Sequence, residues 1–180
     1  MNEVIISIAK QSIRDGFTHT QSIDKTALLK QYPNFQTLGA TFVTLTLEGS
    51  LRGCIGSLIA HRPLLDDVIS NAKAAAFEDP RFYPLSQEEF EKVSIEVSLL
   101  SAPEPVLYDN IEDLKTKITP NSDGIILQKG SRKATFLPQV WEQLPNFELF
   151  FSHLCQKAGL EAHCLENHPD IWRYTVEKLK

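Results

Sequence analysis

The sequence has few cysteines, no long apolar run and no cluster of basic residues, and each absence excludes a class of protein. Its three cysteines are spread along 180 residues, a number and spacing that do not predict a disulfide framework. No apolar run approaches ~18 residues, so no membrane-spanning helix is expected. The first residues carry only a brief apolar stretch and no small-residue cleavage site, unlike a signal peptide. These absences predict a reduced, cytoplasmic protein.

The net charge and the composition further restrict the classes of protein to which the chain could belong. The formal net charge is −5, which disfavours the electrostatic capture of nucleic acid. Hydrophobic residues make up 42% and charged residues 23% of the chain, as in an ordinary globular protein. The chain contains no tandem repeat and no low-complexity segment. An RNA-associated domain therefore stays the weakest of the alternatives, although the anion-binding features described below would suit phosphate.

The periodicity of apolar residues predicts an α+β fold with a mainly antiparallel sheet flanked by helices. Helices are predicted over 4–15, 24–30, 63–76, 86–89, 110–117, 139–144 and 148–158, with Gly16 ending the first. Strands are predicted over 41–48, 51–58, 93–99, 125–128, 133–137 and 171–177. Gly49, at the first central position of a type II′ turn, makes a hairpin of the first two strands. We expect one domain over 1–180, with a weak boundary between two lobes at 103–105.

The stretch LRGCIGSL, residues 51–58, places a cysteine between glycines in an otherwise apolar run. On a strand, the side chains of Arg52 and Cys54 share one face. A neighbouring guanidinium favours the thiolate, which is the nucleophilic form of cysteine. Gly53 and Gly56 predict a β-bulge or the close approach of a ligand. These residues therefore form a candidate site for acyl or phosphoryl chemistry, or for an anionic ligand.

Packing is the alternative explanation of the same stretch. Cysteine is among the most buried residue types and behaves as a small apolar side chain. Glycines beside it permit tight packing without any ligand. The stretch lacks the Gly-Lys-Ser/Thr ending of a phosphate-binding loop, and it is not a Cys-x-x-Cys redox motif. The spacing alone leaves both explanations of Cys54 open.

Four further residues are candidates for the same site. Glu96, in the middle of a predicted strand, is a possible general base or a partner for Arg52, and the alternative is a solvent-facing carboxylate. Asp79 and Arg81, in the loop after the helix that begins at Pro63, complete a polar pocket or form only a local ion pair. His153 is a candidate proton shuttle near neutral pH, or a helix residue without a role.

The histidines and cysteines of the carboxyl-terminal part do not have the spacing of a metal site. His153 and Cys155 lie two residues apart on a predicted helix, so their side chains diverge by about 200°. No pair among these residues, with His163, Cys164 and His168, matches a zinc-finger pattern. We expect no metal ion and no other cofactor.

Six segments occur in the order found in one known family: FVTLTLEGSLRGCIGSL (42–58), AAFEDPRFYPLS (75–86), IEVSLLSAPEPV (95–106), ATFLPQVWEQLP (134–145), FFSHLCQKAGL (150–160) and RYTVE (173–177). The chain resembles the AMMECR-type domain family, whose prokaryotic members are called AmmeMemoRadiSam system protein A. LRGCIG is the hallmark of that family. Residues 17–39 and 161–170 match none of its motifs.

The resemblance implies an α+β fold with a larger sheet-bearing part, a smaller part, and a cleft in which LRGCIG is exposed. It also implies a Memo-type protein and a radical-SAM protein as companions. The resemblance does not imply any particular reaction. We therefore expect a cytoplasmic enzyme or enzyme subunit in which Cys54 is the nucleophile or the substrate-carrying thiol. Glu96 and His153 would move protons, and the substrate would be bound by Arg52, Gly53, Gly56, Asp79 and Arg81. The alternative is a non-catalytic module that binds a ligand or protein through the LRGCIG surface.

Overall fold

The computed structural model describes residues 2–180 and divides the chain into two compact units. One unit runs to Leu100 and includes the closing residues Glu177–Lys180, and the other spans Ser101–Val176. The expected boundary segment, 103–105, lies in the second unit, just after the division. Helices and antiparallel strands occur in both units, which confirms the α+β prediction.

The helices and strands follow the sequence pattern closely, apart from a few boundaries. The α-helices are α1 (Asn2–Thr18), α2 (Lys25–Gln31), α3 (Leu64–Phe77), α4 (Gln87–Phe90), α5 (Ile111–Lys117) and α6 (Phe147–Lys157). The strands are β1 (Leu38–Leu47), β2 (Ser50–Gly56), β3 (Arg62–Pro63), β4 (Ser94–Leu100), β5 (Glu104–Pro105), β6 (Gly124–Lys129), β7 (Arg132–Phe136), β8 (Asp170–Tyr174) and β9 (Val176–Leu179). Short 3-10 helices span Pro33–Gln36, Pro138–Glu142 and Cys164–Asn167.

The first unit is built on a sheet with the strand order β2-β1-β4-β9, and β3 pairs with the start of β1. Every second residue from Val43 to Leu47 in β1 and from Ile95 to Leu99 in β4 is apolar, so this face of the sheet is apolar and packs against the helices. Val43, Leu45 and Val97 lie fully buried on that face, together with Ile5 of α1 and Ala72 of α3. The opposite face carries the polar residues of the same strands.

The β1–β2 hairpin pairs antiparallel as predicted, but its turn differs from the expected type. Both central residues, Glu48 and Gly49, have positive φ angles of 51° and 80°, which defines a type I′ turn rather than type II′. The type I′ turn has the twist that suits a two-residue hairpin loop. The predicted pairing of the strands is therefore correct, whereas the predicted turn type is wrong.

Two predicted boundaries are wrong for reasons of packing. Helix α1 continues past Gly16 to Thr18, and this glycine serves close approach instead of termination, since a Cβ there would lie 2.3 Å from the Phe77 ring. The single closing strand predicted over 171–177 is two strands, β8 and β9, which belong to different sheets. A continuous β-branched and aromatic pattern does not reveal where a chain leaves one sheet for another.

The second unit has its own sheet, with the order β5-β8-β6-β7, and its own core. Trp141 is fully buried and stacks on Phe150 with the ring centres 3.6 Å apart. The indole N–H of Trp141 donates to the backbone oxygen of Asp123 at 2.8 Å, which satisfies its only polar atom. Helix α6 thus packs its aromatic side against the sheet of this unit.

A disulfide joins Cys155 of α6 to Cys164, nine residues later. This pairing corrects the expectation that the cysteines are reduced and unpaired. The chain reverses direction after α6 at Gly159, whose φ of 73° is left-handed, and the reversal brings Cys164 back to the helix. Cys54 is the free cysteine of the chain. Within residues 2–180, no helix is long and apolar enough to cross a membrane.

The disulfide predicts the number of reactive thiols in the unfolded protein. In denaturant without reductant, N-ethylmaleimide should modify Cys54 alone, and after reduction it should modify all three cysteines. Reduction of the native protein should lower its free energy of unfolding by about 2.5 kcal/mol, as expected for closing a loop of this length. Mass spectrometry of the alkylated chain and urea titrations would measure both effects. Three adducts without reductant would contradict the disulfide.

Candidate functional site

Cys54 lies on β2, at the edge of the first sheet, in a row of polar side chains that crosses three strands. It pairs with Thr44 of β1, and Thr44 pairs on its other side with Glu96 of β4. All three residues alternate with the buried apolar ones, so they lie on the opposite face of the sheet. The Sγ of Cys54 is 3.4 Å from the Oγ1 of Thr44. The sequence analysis did not single out Thr44, because only the strand register reveals its position.

A β-bulge interrupts the pairing of β2 just before Cys54. Leu45 pairs with Gly53 and Thr46 with Leu51, so Arg52 has no partner on β1. A bulge adds one residue to a strand and increases its local twist. The glycines had predicted either a bulge or the approach of a ligand, and the structure places a bulge at this point.

The two glycines are required by close contacts within the first unit. A Cβ on Gly53 would lie 2.1 Å from the backbone oxygen of Ala75 in α3. A Cβ on Gly56 would lie 2.3 Å from the ring of Phe42. The absence of a side chain therefore lets β2 lie directly against α3 and against Phe42. Packing accounts for both glycines without a ligand.

The guanidinium of Arg52 is engaged by Glu89 of α4. Its Nε and Nη2 donate to the two carboxylate oxygens, each at 2.8 Å. The same carboxylate accepts the backbone N–H of Ser86 and completes the predicted capping box. The hydrogen bond from Arg52, followed by that from Ser86, lowers the pKa of Glu89 to about 2. Arg52 therefore bridges the bulge of β2 to α4.

Asp79 and Arg81 bind the backbone of Cys54 from the open edge of the sheet. The carboxylate of Asp79 accepts the Cys54 N–H at 2.8 Å, and Nη2 of Arg81 donates to the Cys54 carbonyl at 3.2 Å. Arg81 also donates twice to Asp79, at 2.9 and 2.7 Å. These hydrogen bonds hold the pKa of Asp79 well below its usual range, with that from Arg81 the largest influence. The loop thus takes the place that a further strand would occupy.

Arg81 is the cation bound to the backbone carbonyl of Cys54. Its side chain is 54% exposed, whereas that of its partner Asp79 is 2% exposed. The pKa of Arg81 is raised, chiefly by the hydrogen bond to Asp79. The sequence analysis gave the role of a thiolate-stabilising neighbour to Arg52, but the structure directs Arg52 to Glu89 and places Arg81 beside Cys54.

Glu96 is also paired on the open face of the sheet. Its carboxylate oxygens lie 3.9 Å from Nζ of Lys178 and 3.3 Å from Nζ of Lys180. Both lysines lie on or just after β9, the neighbour of β4. The two lysine side chains are 48% and 77% exposed, and ion pairs with such mobile, solvated partners are weak.

His153 belongs to the second unit, on α6, where its side chain is exposed. The other predicted site residues all lie in the first unit. Among residues 2–180, the imidazole of His153 has no hydrogen bond or ion pair. No group of three His, Cys, Asp or Glu side chains in this part of the chain could hold a metal ion. The role of His153 as a proton shuttle stays a prediction.

The sequence analysis missed a buried polar cluster at the other end of β2. The carboxylate of Asp67, on α3, is fully buried. It accepts hydrogen bonds from the Thr41 N–H and hydroxyl, each at 2.8 Å, and from Ser57 and Arg62, each at 2.7 Å. Asn71 donates to the same carboxylate from one helical turn later. The signal available in the sequence was an acidic and an amide residue, four apart, on the apolar side of α3.

Comparison with known proteins identifies the family to which this site belongs. The family model described as AMMECR1 matches residues 6–179. The chain belongs to the AMMECR1 family. It is 38% identical to Protein SSO0193 of Saccharolobus solfataricus, in an alignment that covers 100% of this chain and 78% of that relative. A protein of Methanothermobacter thermautotrophicus is 35% identical, with coverage of 96% and 90%.

The AMMECR1 fold is also found in a solved structure. A crystal structure of the uncharacterized protein PH0010 from Pyrococcus horikoshii superposes with a TM-score of 0.80 at 30% identity, covering 98% of this chain and 89% of that one. The family resemblance that LRGCIG and five other segments indicated is therefore confirmed. In this AMMECR1 protein the hallmark forms the bulged edge strand that carries Cys54.

The Arg52–Glu89 pair predicts an acid-dependent loss of stability. Replacing Glu89 with Gln should lower the free energy of unfolding by about 2 kcal/mol at pH 7, because Arg52 loses a two-point charged partner. The folded-state pKa of Glu89, about 2, lies below the ordinary value of 4.5. The contribution is therefore complete above about pH 4.5 and is lost as the pH falls towards 2.

Urea titrations of wild type and Glu89→Gln from pH 7 to pH 2 would measure this difference. The two stabilities should converge at the acid end. Glu88→Gln, at the neighbouring exposed position, is the matched control and should behave as wild type throughout. A constant difference between wild type and Glu89→Gln across this range would contradict the assignment.

Proposed function

We propose that this AMMECR1 protein is a thiol-dependent enzyme or enzyme subunit in which Cys54 is the nucleophile or the substrate-carrying thiol. The supporting observation is the way Cys54 is held. Its backbone N–H and C=O are both bound by the Asp79–Arg81 pair, whereas its side chain is only partly buried. A thiol that only filled space would not need a fixed backbone and a partly open side chain.

The neighbours of the thiol support the same chemistry. The hydroxyl of Thr44 is close enough to donate to a thiolate, and the guanidinium of Arg81 supplies a nearby positive charge. Both groups favour the ionised, nucleophilic form of cysteine. Glu96 is next in the row beyond Thr44, so we assign it the acceptance of the thiol proton through the Thr44 hydroxyl. An anionic group of the substrate would bind to Arg81.

The proposed setting is a cytoplasmic reaction shared with a Memo-type protein and a radical-SAM protein. Support for these companions comes from the AmmeMemoRadiSam resemblance of the LRGCIG segment. In this setting the radical-SAM protein would supply the radical chemistry, and the Cys54 thiol would supply nucleophilic chemistry. Neither role requires a metal ion or a cofactor bound to this chain.

The proposal predicts that Cys54 reacts faster than an ordinary thiol. At pH 7, iodoacetamide should alkylate Cys54 of the folded protein about tenfold faster than it alkylates N-acetylcysteine, because a larger fraction is thiolate. Arg81→Gln and Thr44→Val should each slow the reaction severalfold. Arg14→Gln, which removes a guanidinium from α1, should not change it. Site-resolved mass spectrometry would measure the rates, and a Cys54 that is inert until the protein unfolds would contradict the proposal.

A binding module is the second candidate function, and exposed apolar side chains favour it. Leu51, Leu58 and Ile59, in or next to the hallmark segment, are between 38% and 51% exposed, and Tyr83 is 90% exposed. Large apolar side chains left in water near one segment are typical of surfaces that bind another protein. Under this reading, Cys54 only packs within the strand.

The two functions predict different responses to the same variants. If the surface binds a Memo-type protein without catalysis, Cys54→Ala should leave the dissociation constant unchanged, and Ile59→Ser should raise it about tenfold. If Cys54 is the reactive thiol, Cys54→Ala should abolish the function in cells while binding is retained. Calorimetric titration together with a complementation assay would separate them. Full complementation by Cys54→Ala would exclude the catalytic role.

A further inference from the structure

The second unit contains a cavity of about 360 Å³ that the proposed thiol chemistry does not use. One face of α6, the start of α5 and the segment 162–166 form its walls. Phe147, Phe151 and Leu165 give it an apolar floor of buried side chains, and Leu149 stands half-exposed at its edge. The volume falls within the range of small-molecule sites, which are mostly apolar with a few polar groups.

The Cys155–Cys164 disulfide fixes the distance between two walls of this cavity. Cys155 follows the lining residue Ser152 by about one helical turn, and Cys164 lies between two lining residues, His163 and Leu165. A covalent link between α6 and the 162–166 segment therefore limits how far these two walls can separate.

The polar groups of the cavity determine which ligand suits it. Among residues 2–180, the side chains of Ser152, His163 and Glu166 have no hydrogen-bond or ion-pair partner. The other lining carboxylate, Glu148, is paired with Lys115 at 2.6 Å, so its charge is compensated. Glu166 is thus a solvent-exposed carboxylate without a protein partner at the edge of an apolar cavity. A cation placed there would gain a charge-assisted hydrogen bond.

We propose that this cavity binds a small organic amine. The apolar part of the ligand lies on Phe147, Phe151 and Leu165, and its ammonium group donates to the carboxylate of Glu166. Ser152 accepts a second hydrogen bond from the same ammonium group. An anion of equal size binds more weakly, because it would meet the negative charge of Glu166 without compensation.

Three ligands of equal chain length test the proposal: hexylammonium, hexanol and hexanoate. Two-dimensional NMR of the full chain should show saturable shifts at cavity residues for hexylammonium, weaker binding of hexanol and the weakest binding of hexanoate. Glu166→Gln should weaken hexylammonium binding about threefold to fivefold, the strength of an exposed ion pair, without changing hexanol binding. Glu142→Gln, an exposed glutamate outside the cavity, should leave all three affinities unchanged.

Each contrary result overturns the inference. These results are hexanoate binding as tight as that of hexylammonium, an unaltered hexylammonium affinity in Glu166→Gln, or no saturable shift at the cavity. The wild-type series needs no substitution, so a variant that fails to fold does not prevent the test. The chemistry of Cys54 does not enter any of these measurements, so the outcome is independent of the proposed function.

Discussion

The carboxylate of Asp79 is the constraint on which the candidate site depends. A nearly buried carboxylate is stable only when its charge and its hydrogen-bonding capacity are satisfied. Here the Cys54 N–H and the guanidinium of Arg81 satisfy them together. The same hydrogen bonds therefore stabilise the Asp79 carboxylate and hold Cys54 in position. Removing the guanidinium of Arg81 would leave a nearly buried charge without a charged partner.

A second buried carboxylate fixes the chain just after the same strand. Asp67, on α3, binds Ser57 just after β2 and Thr41 on β1, and Asp79 lies two residues beyond the end of α3. Helix α3 and the loop that follows it thus hold Cys54 within the hallmark segment and Ser57 just after it. Directly before Cys54, the missing side chain of Gly53 lets the strand lie against Ala75. The conformation of LRGCIG is determined by α3 as much as by its own sequence.

Local patterns predicted most of the fold, because they depend on residues close together in the chain. The capping box of Ser86 and Glu89, the N-cap at Asp24 and the β1–β2 pairing are all present. The contacts that the sequence did not reveal join distant residues. Arg52 binds Glu89, which is 37 residues away in the sequence, and Asp79 binds Cys54, which is 25 residues away. The sequence suggested a local ion pair between Asp79 and Arg81, and that pair is present. It did not suggest that both side chains also bind the backbone of Cys54.

The same distinction explains the error about the cysteines. Nine residues separate Cys155 from Cys164, a spacing that matches no metal motif and does not by itself indicate a bond. The approach of the two sulfurs depends on the left-handed turn at Gly159 and on α6 ending just before it. Cys54 is left as the single thiol of the chain because of that turn. Any thiol chemistry of this protein is therefore chemistry of the hallmark strand.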